Sequence, residues 1–417
     1  MTLEQHEPAI SILGAFDRFN YGDVLFAKVS EYLCAKAWPE VTPTFYALRA
    51  ADLTSEGGVV CAPLRDLYRR KIPAEARHLI VVSGGEVLAP TWTQMAEHHV
   101  PEWFSRQILQ RVHYRTGYAA WDPMWRRYYG CPNLQPWTID PQSFAAPERT
   151  DILYNAVGGT TFKELSPAQK AWQVQALERA AWLCTRDQIT ADGLAARGLP
   201  APQVLPDSAV IMARLLSETQ KAASRARIVQ QAGLGDGPYI CVQSAEGWVR
   251  GHEQELANQL REVHARTGLN VMSFAIGRAS GHDDQVTGQR LDALLGSESW
   301  FGVAPLDLSV NDIMSLIAGS QAYIGTSLHG FITSFAFDRP RVGLMPGVRK
   351  IVGFRDSWDV PEMPAGVEFH EVADALDKAL TFDPASLTAQ SKRVADVYLS
   401  GFSDMAQRLG APNTVIS

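Results

Sequence analysis

The chain has 417 residues, 46% hydrophobic and 20% charged, and its 45 acidic and 38 basic residues give a net charge of −7. This length exceeds what one ordinary hydrophobic core supports, so it predicts two domains. The negative charge argues against broad binding to nucleic acid or to an anionic membrane surface.

Signals for targeting, disulfides and metals are weak. The N-terminal stretch MTLEQHEPAISILGAF carries no basic segment before its apolar run, and no apolar stretch approaches the roughly 20 residues that span a bilayer. The five cysteines form no CxxC pair, and the adjacent His98 and His99 would point in different directions on a helix, with no third ligand nearby. We therefore predict a cytoplasmic protein that uses neither a metal nor another cofactor.

The first half begins with strands that alternate with helices. The apolar run ISILGAF, the polar loop DRFNYGD and a helix from Val24 to Lys36 follow one another. The stretches HLIVVSGGEVLAP and DILYNAVGGTTF repeat this pattern and end in the pairs Gly84-Gly85 and Gly158-Gly159. Ligands of open α/β sheets gather at the carboxyl ends of strands, so these glycines are candidates for close approach to a substrate. The alternative is that these glycines only allow the chain to turn.

Three further segments complete the first half. The aromatic and arginine-rich residues 92–137 suit sugar rings and anionic groups, although helix packing is the more ordinary explanation. Ser166-Pro167 with Gln169 predicts a capped helix start. The proline-dense stretch GLPAPQVLPDSAV marks a candidate hinge between the two halves.

The second half repeats the alternation of strands and helices. In order it holds the strand YICVQSA, a helix from about His252 to Arg266, the strand LNVMSFAIG, the helix DDQVTGQRLDALLG, the strand WFGVA and the helix SVNDIMSLIAGS. Such alternation predicts a parallel sheet. We therefore predict an α/β protein with two Rossmann-like domains that face a cleft, residues 1–205 and 206–385. A C-terminal helix in residues 386–417 would pack onto or across these domains.

Ordered landmarks along the chain resemble the polysaccharide pyruvyl transferase family. They are GAFDRFNYGD, VVSGGEVL, CTRDQITADGLAARG, VLPDSAV, LSVNDIMSLIAGSQAYIGTSLHGFITSFAFDRPRVGL and VRKIVGF. The resemblance implies a fold of the glycosyltransferase-B type. It implies transfer of a pyruvyl or enolpyruvyl unit from phosphoenolpyruvate to hydroxyls of a sugar in a cell-surface or exopolysaccharide glycan. The acceptor would be a sugar or a lipid-linked oligosaccharide, and the latter would bring the protein into peripheral contact with a membrane.

The stretch AYIGTSLHG is the strongest candidate for a donor site. It places Thr326, Ser327 and His329 at a helix start after a parallel strand, where free N–H groups and the helix dipole favour anions. By resemblance, His329 corresponds to the family's histidine beside the donor, and an imidazole can transfer protons near neutral pH. A core histidine that only caps a turn is the alternative.

Basic residues behind this turn are candidates to bind the donor. Many family members carry Arg-Leu-His where this chain has Ser327-Leu328-His329, so other cations would have to replace that arginine. Arg339, Arg341, Arg349, Lys350 and Arg355 follow closely, and we select Arg349 and Lys350 as substrate-binding residues.

The first loop and the glycine pair after the second strand supply candidates for the acceptor side. Asn20 and Asp23 could bind and deprotonate the acceptor hydroxyl, since a carboxylate within hydrogen-bond distance can accept that proton. Equally, Asp23 could be the N-cap of a helix that begins at Val24. Gly84 and Gly85 are assigned to substrate binding.

One ion pair and two alternative functions complete the predictions. Arg186 and Asp187 are predicted to form an ion pair that fixes the turn between the domains. Because the same two-domain architecture also serves glycosyltransferases, a nucleotide-sugar enzyme is an alternative function. A non-catalytic member of the family is another, because the motif arginine is absent.

Overall fold

The computed structural model describes residues 7–100, 109–159, 165–278 and 284–414. The strands of these residues form two sheets, with the orders β3-β4-β2-β1-β5-β6-β7-β8 and β11-β10-β9-β12-β13-β14. The paired strands in the described ranges are parallel, apart from the short antiparallel pair β3 and β4. The first sheet comprises β1 (Ala9–Leu13), β2 (Thr44–Ala47), β3 (Ala51–Asp52), β4 (Val60–Pro63), β5 (His78–Ser83), β6 (Thr150–Val157), β7 (Trp182–Thr185) and β8 (Gln203–Val204). The second comprises β9 (Tyr239–Gln243), β10 (Asn270–Ser273), β11 (Phe301–Val303), β12 (Tyr323–Gly325), β13 (Arg341–Leu344) and β14 (Ala365–Val367).

Helices cover both sheets. Those before β9 are α1 (Tyr21–Ala37), α2 (Leu64–Leu67), α3 (Trp92–Glu97), α4 (Gln110–Thr116), α5 (Asp122–Tyr129), α6 (Pro167–Glu178), α7 (Gln188–Ala195) and α8 (Glu218–Gln231). Those after it are α9 (Glu246–Val249), α10 (Glu253–Thr267), α11 (Asp284–Leu295), α12 (Val310–Ala318), α13 (Leu328–Ala336), α14 (Arg349–Trp358), α15 (Val372–Leu380) and α16 (Pro384–Arg408). A 3₁₀ helix, Ser208–Leu215, links the two sheets.

The registers of the strands explain where a site can form. All six residues of β5 are buried, as expected for a parallel strand covered on both faces. Ser83 at the end of β5 pairs with Asn155 of β6, and Gln243 at the end of β9 pairs with Gly325 of β12. Each sheet therefore presents its carboxyl-terminal edge as one continuous rim.

Helix starts follow from local capping. Ser166 and Gln169 form the predicted capping box of α6, with Pro167 as its first residue, so that prediction is confirmed. The prediction for the first helix is wrong by three residues. The Asn20 side chain accepts the Gly22 N–H at 3.2 Å, and α1 begins at Tyr21. Asp23 lies in the first turn and is not the N-cap.

The two sheets are joined by contacts near the start of α1. Asn20 forms an isolated antiparallel bridge with Gly277, which follows β10. The hydroxyl groups of Tyr21 and Thr333 lie 2.7 Å apart and join α1 to α13. These contacts hold the first loop of the chain against the second sheet.

The C-terminal helix α16 reaches back to the first sheet. The hydroxyl of Tyr398 lies 2.8 Å from the side-chain nitrogen of Asn155 in β6, and both residues are buried. A Cβ at Gly401 would overlap the side chain of Leu205, which shows how closely α16 packs there.

The aromatic stretch mostly packs helices together. Trp92 and Trp137 are almost fully buried, and the Trp92 ring stacks on Tyr129 at 5.7 Å. Trp103 and Arg106 lie outside the described residues. None of the described helices combines the length and the apolar character needed to cross a bilayer, and the cytoplasmic location stays a prediction.

Candidate functional site

A cleft of about 660 Å³ lies between the carboxyl-terminal rims of the two sheets. The structure places eight of the nine predicted site residues on its walls: Asn20, Asp23, Gly85, Thr326, Ser327, His329, Arg349 and Lys350. Gly84 is not among the lining residues, and a Cβ there would meet Val87.

The TSLHG turn is fixed by hydrogen bonds to β9. Ser327 is the N-cap of α13, and its hydroxyl accepts the Gly330 N–H at 3.3 Å. The Ser327 N–H donates to the side-chain oxygen of Gln243 at 3.0 Å, and Thr326 accepts the Ala245 N–H at 3.0 Å. Gln243 thus holds the turn from the end of its strand. The α13 N-terminus, with its first-turn N–H groups, faces the cleft.

His329 lies in the first turn of α13, wedged against the first half of the chain. Its Nδ1 lies over the backbone of Gly22, so that a Cβ at Gly22 would overlap the ring, and Phe26 packs edge-on at 5.1 Å. Its Nε2 lies 3.8 Å from Oδ2 of Asp207, which is too long for a hydrogen bond but close enough for a strong Coulombic interaction when the ring is protonated. The ring also lines the cleft, so it is not confined to a buried turn.

Asp207 and Arg186 form a buried charged centre next to His329. Nη1 of Arg186 donates to Asp207 at 3.0 Å, and Nη2 donates to Glu86 at 2.8 Å. Burial alone would raise the pKa of Asp207, but His329 and Arg186 lower it to about 2. The predicted ion pair of Arg186 with Asp187 is present at 3.8 Å, longer than the other two, and the Asp187 side chain also caps α7. The main partners of Arg186 are therefore Glu86 and Asp207.

This guanidinium explains two of the glycine positions. A Cβ at Gly85 would lie 2.7 Å from Nη1 of Arg186, and a Cβ at Gly158 would lie 2.7 Å from its Nε. The missing side chains thus make room for Arg186 between β5, β6 and β7. Gly85 also reaches the cleft surface.

A second helix N-terminus faces the same cleft. Helix α14 begins at Arg349 after Val348, whose side chain cannot cap the helix, so its first-turn N–H groups are free of a side-chain acceptor. The pKa of Lys350 is lowered. Desolvation between the walls of the cleft is the larger cause and the charge of Arg186 the smaller one, although the side chain keeps contact with solvent. Arg349 and Lys350 therefore place two cations beside two helix N-termini.

The other basic candidates do not line this cleft. Arg341 is completely buried and makes a bidentate ion pair with Asp359, donating from Nε at 2.7 Å. Arg355 donates to the neighbouring Asp356 at 2.6 Å. Their closeness to Arg349 in the sequence therefore does not place them in the cleft.

The first-half wall carries Arg18 as well as Asn20 and Asp23. Nη2 of Arg18 lies 3.8 Å from Asp23, and Nη1 lies 3.5 Å from the buried Asp17. Asp17 is held in turn by Nε2 of His99 at 3.1 Å, while Nδ1 of His99 lies 2.6 Å from the Tyr129 hydroxyl. His99 thus supports the Arg18 loop.

Sequence reasoning missed several residues of the site. The cleft is also lined by Arg18, Glu86, Trp137, Gln243, Trp248 and Asp284. Asp207, in the landmark VLPDSAV, is a neighbour of His329 that its motif could have suggested. For Glu86, which follows a glycine pair, and for Trp248, which lies over Gly347, the sequence offers only weak signals.

Comparison of the whole fold with solved structures defines its class. Methanocaldococcus jannaschii UDP-GlcNAc 2-epimerase, solved with UDP-GlcNAc and UDP, has a TM-score of 0.51 at 9% identity and covers 94% of this chain and 98% of its own. S. aureus MnaA in its UDP co-structure has a TM-score of 0.55 at 12% identity, covering 96% and 94%. Anabaena Alr3699/HepE with UDP-glucose has a TM-score of 0.51 at 12% identity, covering 96% and 99%. The predicted architecture is confirmed: an α/β fold of the glycosyltransferase-B type, with two Rossmann-like halves facing a cleft.

The family comparison is narrower. The polysaccharide pyruvyl transferase family model matches residues 157–346, which contain Arg186, Asp207 and His329. The resemblance predicted from the sequence is therefore confirmed over that segment. A curated protein, the ATP phosphoribosyltransferase of Corynebacterium efficiens, is 26% identical over 215 residues, 46% of this chain and 75% of its own length. Identity at that level does not assign the chain to that group.

Proposed function

We propose that the protein transfers a pyruvyl (enolpyruvyl) group from phosphoenolpyruvate to hydroxyls of a sugar in a cell-surface or exopolysaccharide glycan. One observation supports this proposal most directly. A single cleft is lined by residues of both halves: His329, Arg349, Lys350, Asn20 and Asp23. The family match over residues 157–346 supports the same reaction class.

The proposed donor end of the cleft is the wall formed by α13 and α14. Phosphoenolpyruvate carries a phosphate and a carboxylate on three carbons, so its site needs concentrated cations and N–H donors. Arg349, Lys350 and the two helix N-termini supply both kinds of group. These groups would take the place of the arginine that the family motif carries at Ser327.

The proposed chemistry needs one proton donor and one proton acceptor. His329 gives a proton to C3 of phosphoenolpyruvate, which becomes a methyl group, and positive charge develops at C2. A sugar hydroxyl oxygen bonds to C2 while Asp23 takes its proton. The bond between C2 and the phosphate oxygen then breaks, and inorganic phosphate leaves. Attack by a second hydroxyl gives a cyclic ketal, whereas loss of a C3 proton gives an enol ether.

The assignment of the two halves follows from this chemistry. The second half, residues 206–385, would bind the donor, and the first half, residues 1–205, would bind the sugar acceptor through Asn20 and Asp23. The C-terminal segment, residues 386–417, would link them, consistent with the Tyr398–Asn155 contact. A lipid-linked acceptor would bring this cleft to a membrane surface transiently.

The test is calorimetric titration of phosphoenolpyruvate into the wild-type protein and into His329→Ala. His370→Ala is the matched control, because His370 is an exposed histidine of the second half. We expect micromolar to low-millimolar binding that weakens in His329→Ala and persists in His370→Ala. Absence of heat with phosphoenolpyruvate in the wild type would reject the donor.

A second candidate is chemistry on a nucleotide sugar. The observation that favours it is the likeness of the fold to solved proteins whose complexes contain UDP or UDP sugars. UDP-GlcNAc titrated in the same experiment distinguishes the two. Binding of UDP-GlcNAc without binding of phosphoenolpyruvate would favour this candidate.

A further inference from the structure

The two ring nitrogens of His329 have different surroundings. Nε2 is buried, has no hydrogen-bond partner among the described residues, and faces Asp207 at 3.8 Å. Nδ1 lies over the backbone of Gly22, between Asn20 and Asp23 in the chain, and these two residues line the cleft together with His329. The ring therefore presents one nitrogen to a carboxylate and the other to the chain segment that carries Asn20 and Asp23.

Asp207 is held rigidly in this arrangement. Its Oδ2 accepts from Nη1 of Arg186 at 3.0 Å, and its Oδ1 accepts the Ala209 N–H at 3.0 Å. The side chain is almost fully buried. With these two donors in place it remains an ionised carboxylate, which can accept hydrogen bonds and cannot donate one.

We propose that Asp207 is a positioning residue that keeps a proton on Nε2 of His329 and leaves Nδ1 as the atom that exchanges protons with the substrate. A carboxylate favours an N–H pointing toward it, and this selects the tautomer of the neutral ring. The inference rests on the proposed function for its chemical meaning, but the tautomer itself is a property of the free protein.

In the proposed reaction this arrangement separates the two protons of the imidazolium. The Nδ1 proton goes to C3 of phosphoenolpyruvate, and the neutral ring keeps its Nε2 proton beside Asp207. The protons of the sugar hydroxyls leave through Asp23 and the departing phosphate. Asp207 itself stays ionised throughout.

The charge around Asp207 also provides a matched control. Glu86 and Asp207 both pair with Arg186, at 2.8 and 3.0 Å, so Glu86→Gln removes a similar charge from the same guanidinium. Asp207→Asn instead places an amide that can donate toward Nε2, which favours the opposite tautomer.

The experiment is nitrogen NMR of the protein labelled with ¹⁵N-histidine, with the His329 signals assigned by their absence in His329→Gln. At a pH where the ring is neutral, we expect the proton on Nε2 in the wild type and in Glu86→Gln, and a shift toward the Nδ1-protonated form in Asp207→Asn. A wild-type ring protonated at Nδ1, or an equal shift in both variants, would overturn the proposal. The wild-type spectrum decides the matter even if Asp207→Asn does not fold.

Kinetics add a second readout once turnover of phosphoenolpyruvate is measured. We expect Asp207→Asn to lower kcat by about 10- to 100-fold, less than the roughly 10²- to 10⁴-fold that a proton-transferring group itself contributes, while KM changes little. A wild type that binds no phosphoenolpyruvate would reject the proposed function and leave the tautomer result intact. Normal binding and kcat in Asp207→Asn would reject only the role of Asp207.

Discussion

The imidazole of His329 packs directly on the backbone of Gly22, so that no side chain fits at residue 22. Gly22 lies in the first turn of α1 and His329 in the first turn of α13. The contact therefore joins the N-termini of helices that belong to different sheets. It also explains the glycine of the Asn-Tyr-Gly-Asp loop by packing, because Gly22 is helical and does not need a left-handed conformation.

Replacing this glycine should displace the histidine. In Gly22→Ala the new methyl group would overlap Nδ1, and a misplacement of about 1 Å can cost on the order of 100-fold in activity. Overpacking should also destabilise the protein by about 1–3 kcal/mol. Turnover of phosphoenolpyruvate and urea denaturation measure the two effects.

Gly247→Ala is the control for this substitution. Gly247 is a helical glycine whose added Cβ would meet open space. It should leave both turnover and stability near wild type. Unchanged activity in Gly22→Ala would show that the ring can move without consequence.

Lys350 should make donor binding sensitive to alkaline pH. Its pKa is lowered by desolvation and by Arg186, so the ammonium loses its proton at a lower pH than an ordinary lysine. Since an anionic ligand needs the charged form, affinity should fall as pH rises through that lowered pKa. Calorimetric titration of phosphoenolpyruvate across this range measures the loss.

Lys350→Arg tests the cause of that loss. A guanidinium stays protonated over the same range, so the variant should retain affinity at alkaline pH. An identical decline in the variant would assign the effect to another group.

Arg341 and Arg349 should separate stability from binding. Arg341→Met would leave Asp359 buried without its partner, and breaking such a pair typically costs about 3–5 kcal/mol. Arg349→Met removes an exposed cation of the cleft, so it should weaken phosphoenolpyruvate binding with little change in stability. Denaturant titration measures the stability of both variants, and calorimetry measures their binding of phosphoenolpyruvate. A stable Arg341→Met that binds weakly, or an unstable Arg349→Met that binds normally, would contradict this assignment.

Acid should destabilise the protein partly through Asp207. Its folded pKa of about 2 lies below the ordinary 3.8, so its ionised form contributes stability above pH 4 that is lost as pH falls toward 2. A shift of this size corresponds to about 2 kcal/mol. Asp207→Asn should therefore be less stable near neutral pH and show a flatter acid limb in denaturation curves. An acid limb as steep as in the wild type would place the titrating group elsewhere.

The sequence predicted most elements because their signals are local. The capping box of Ser166 and Gln169 and the helix start at the TSLHG turn depend only on residues within one turn. The start of α1 was mispredicted for a related reason. Asn20 and Asp23 are both good N-caps, and the bridge between Asn20 and Gly277 favours the earlier start.

The candidate site was predicted in part, through residues that follow strands at one edge of each sheet. Asn20, Asp23 and Gly85 follow β1 and β5, while Thr326, Ser327 and His329 follow β12, so the parallel arrangement alone brings each group to a rim. Their chemical roles stay predictions. Asp207 was missed although it lies in a landmark motif, because its neighbour His329 is far away in the chain. Arg18 was missed because nothing in its neighbouring residues indicates what it faces.

What the sequence determined by itself is the order of elements and which strand ends carry polar residues, since these follow from periodicity and capping. Only the tertiary structure decided that Gly22 and Asp207 enclose His329, and that Arg349 lines the cleft while Arg341 is buried with Asp359. The physical reason is that these contacts join residues far apart in the chain. Burial and the identity of a charge's partner depend on how the two sheets pack, which no local pattern encodes.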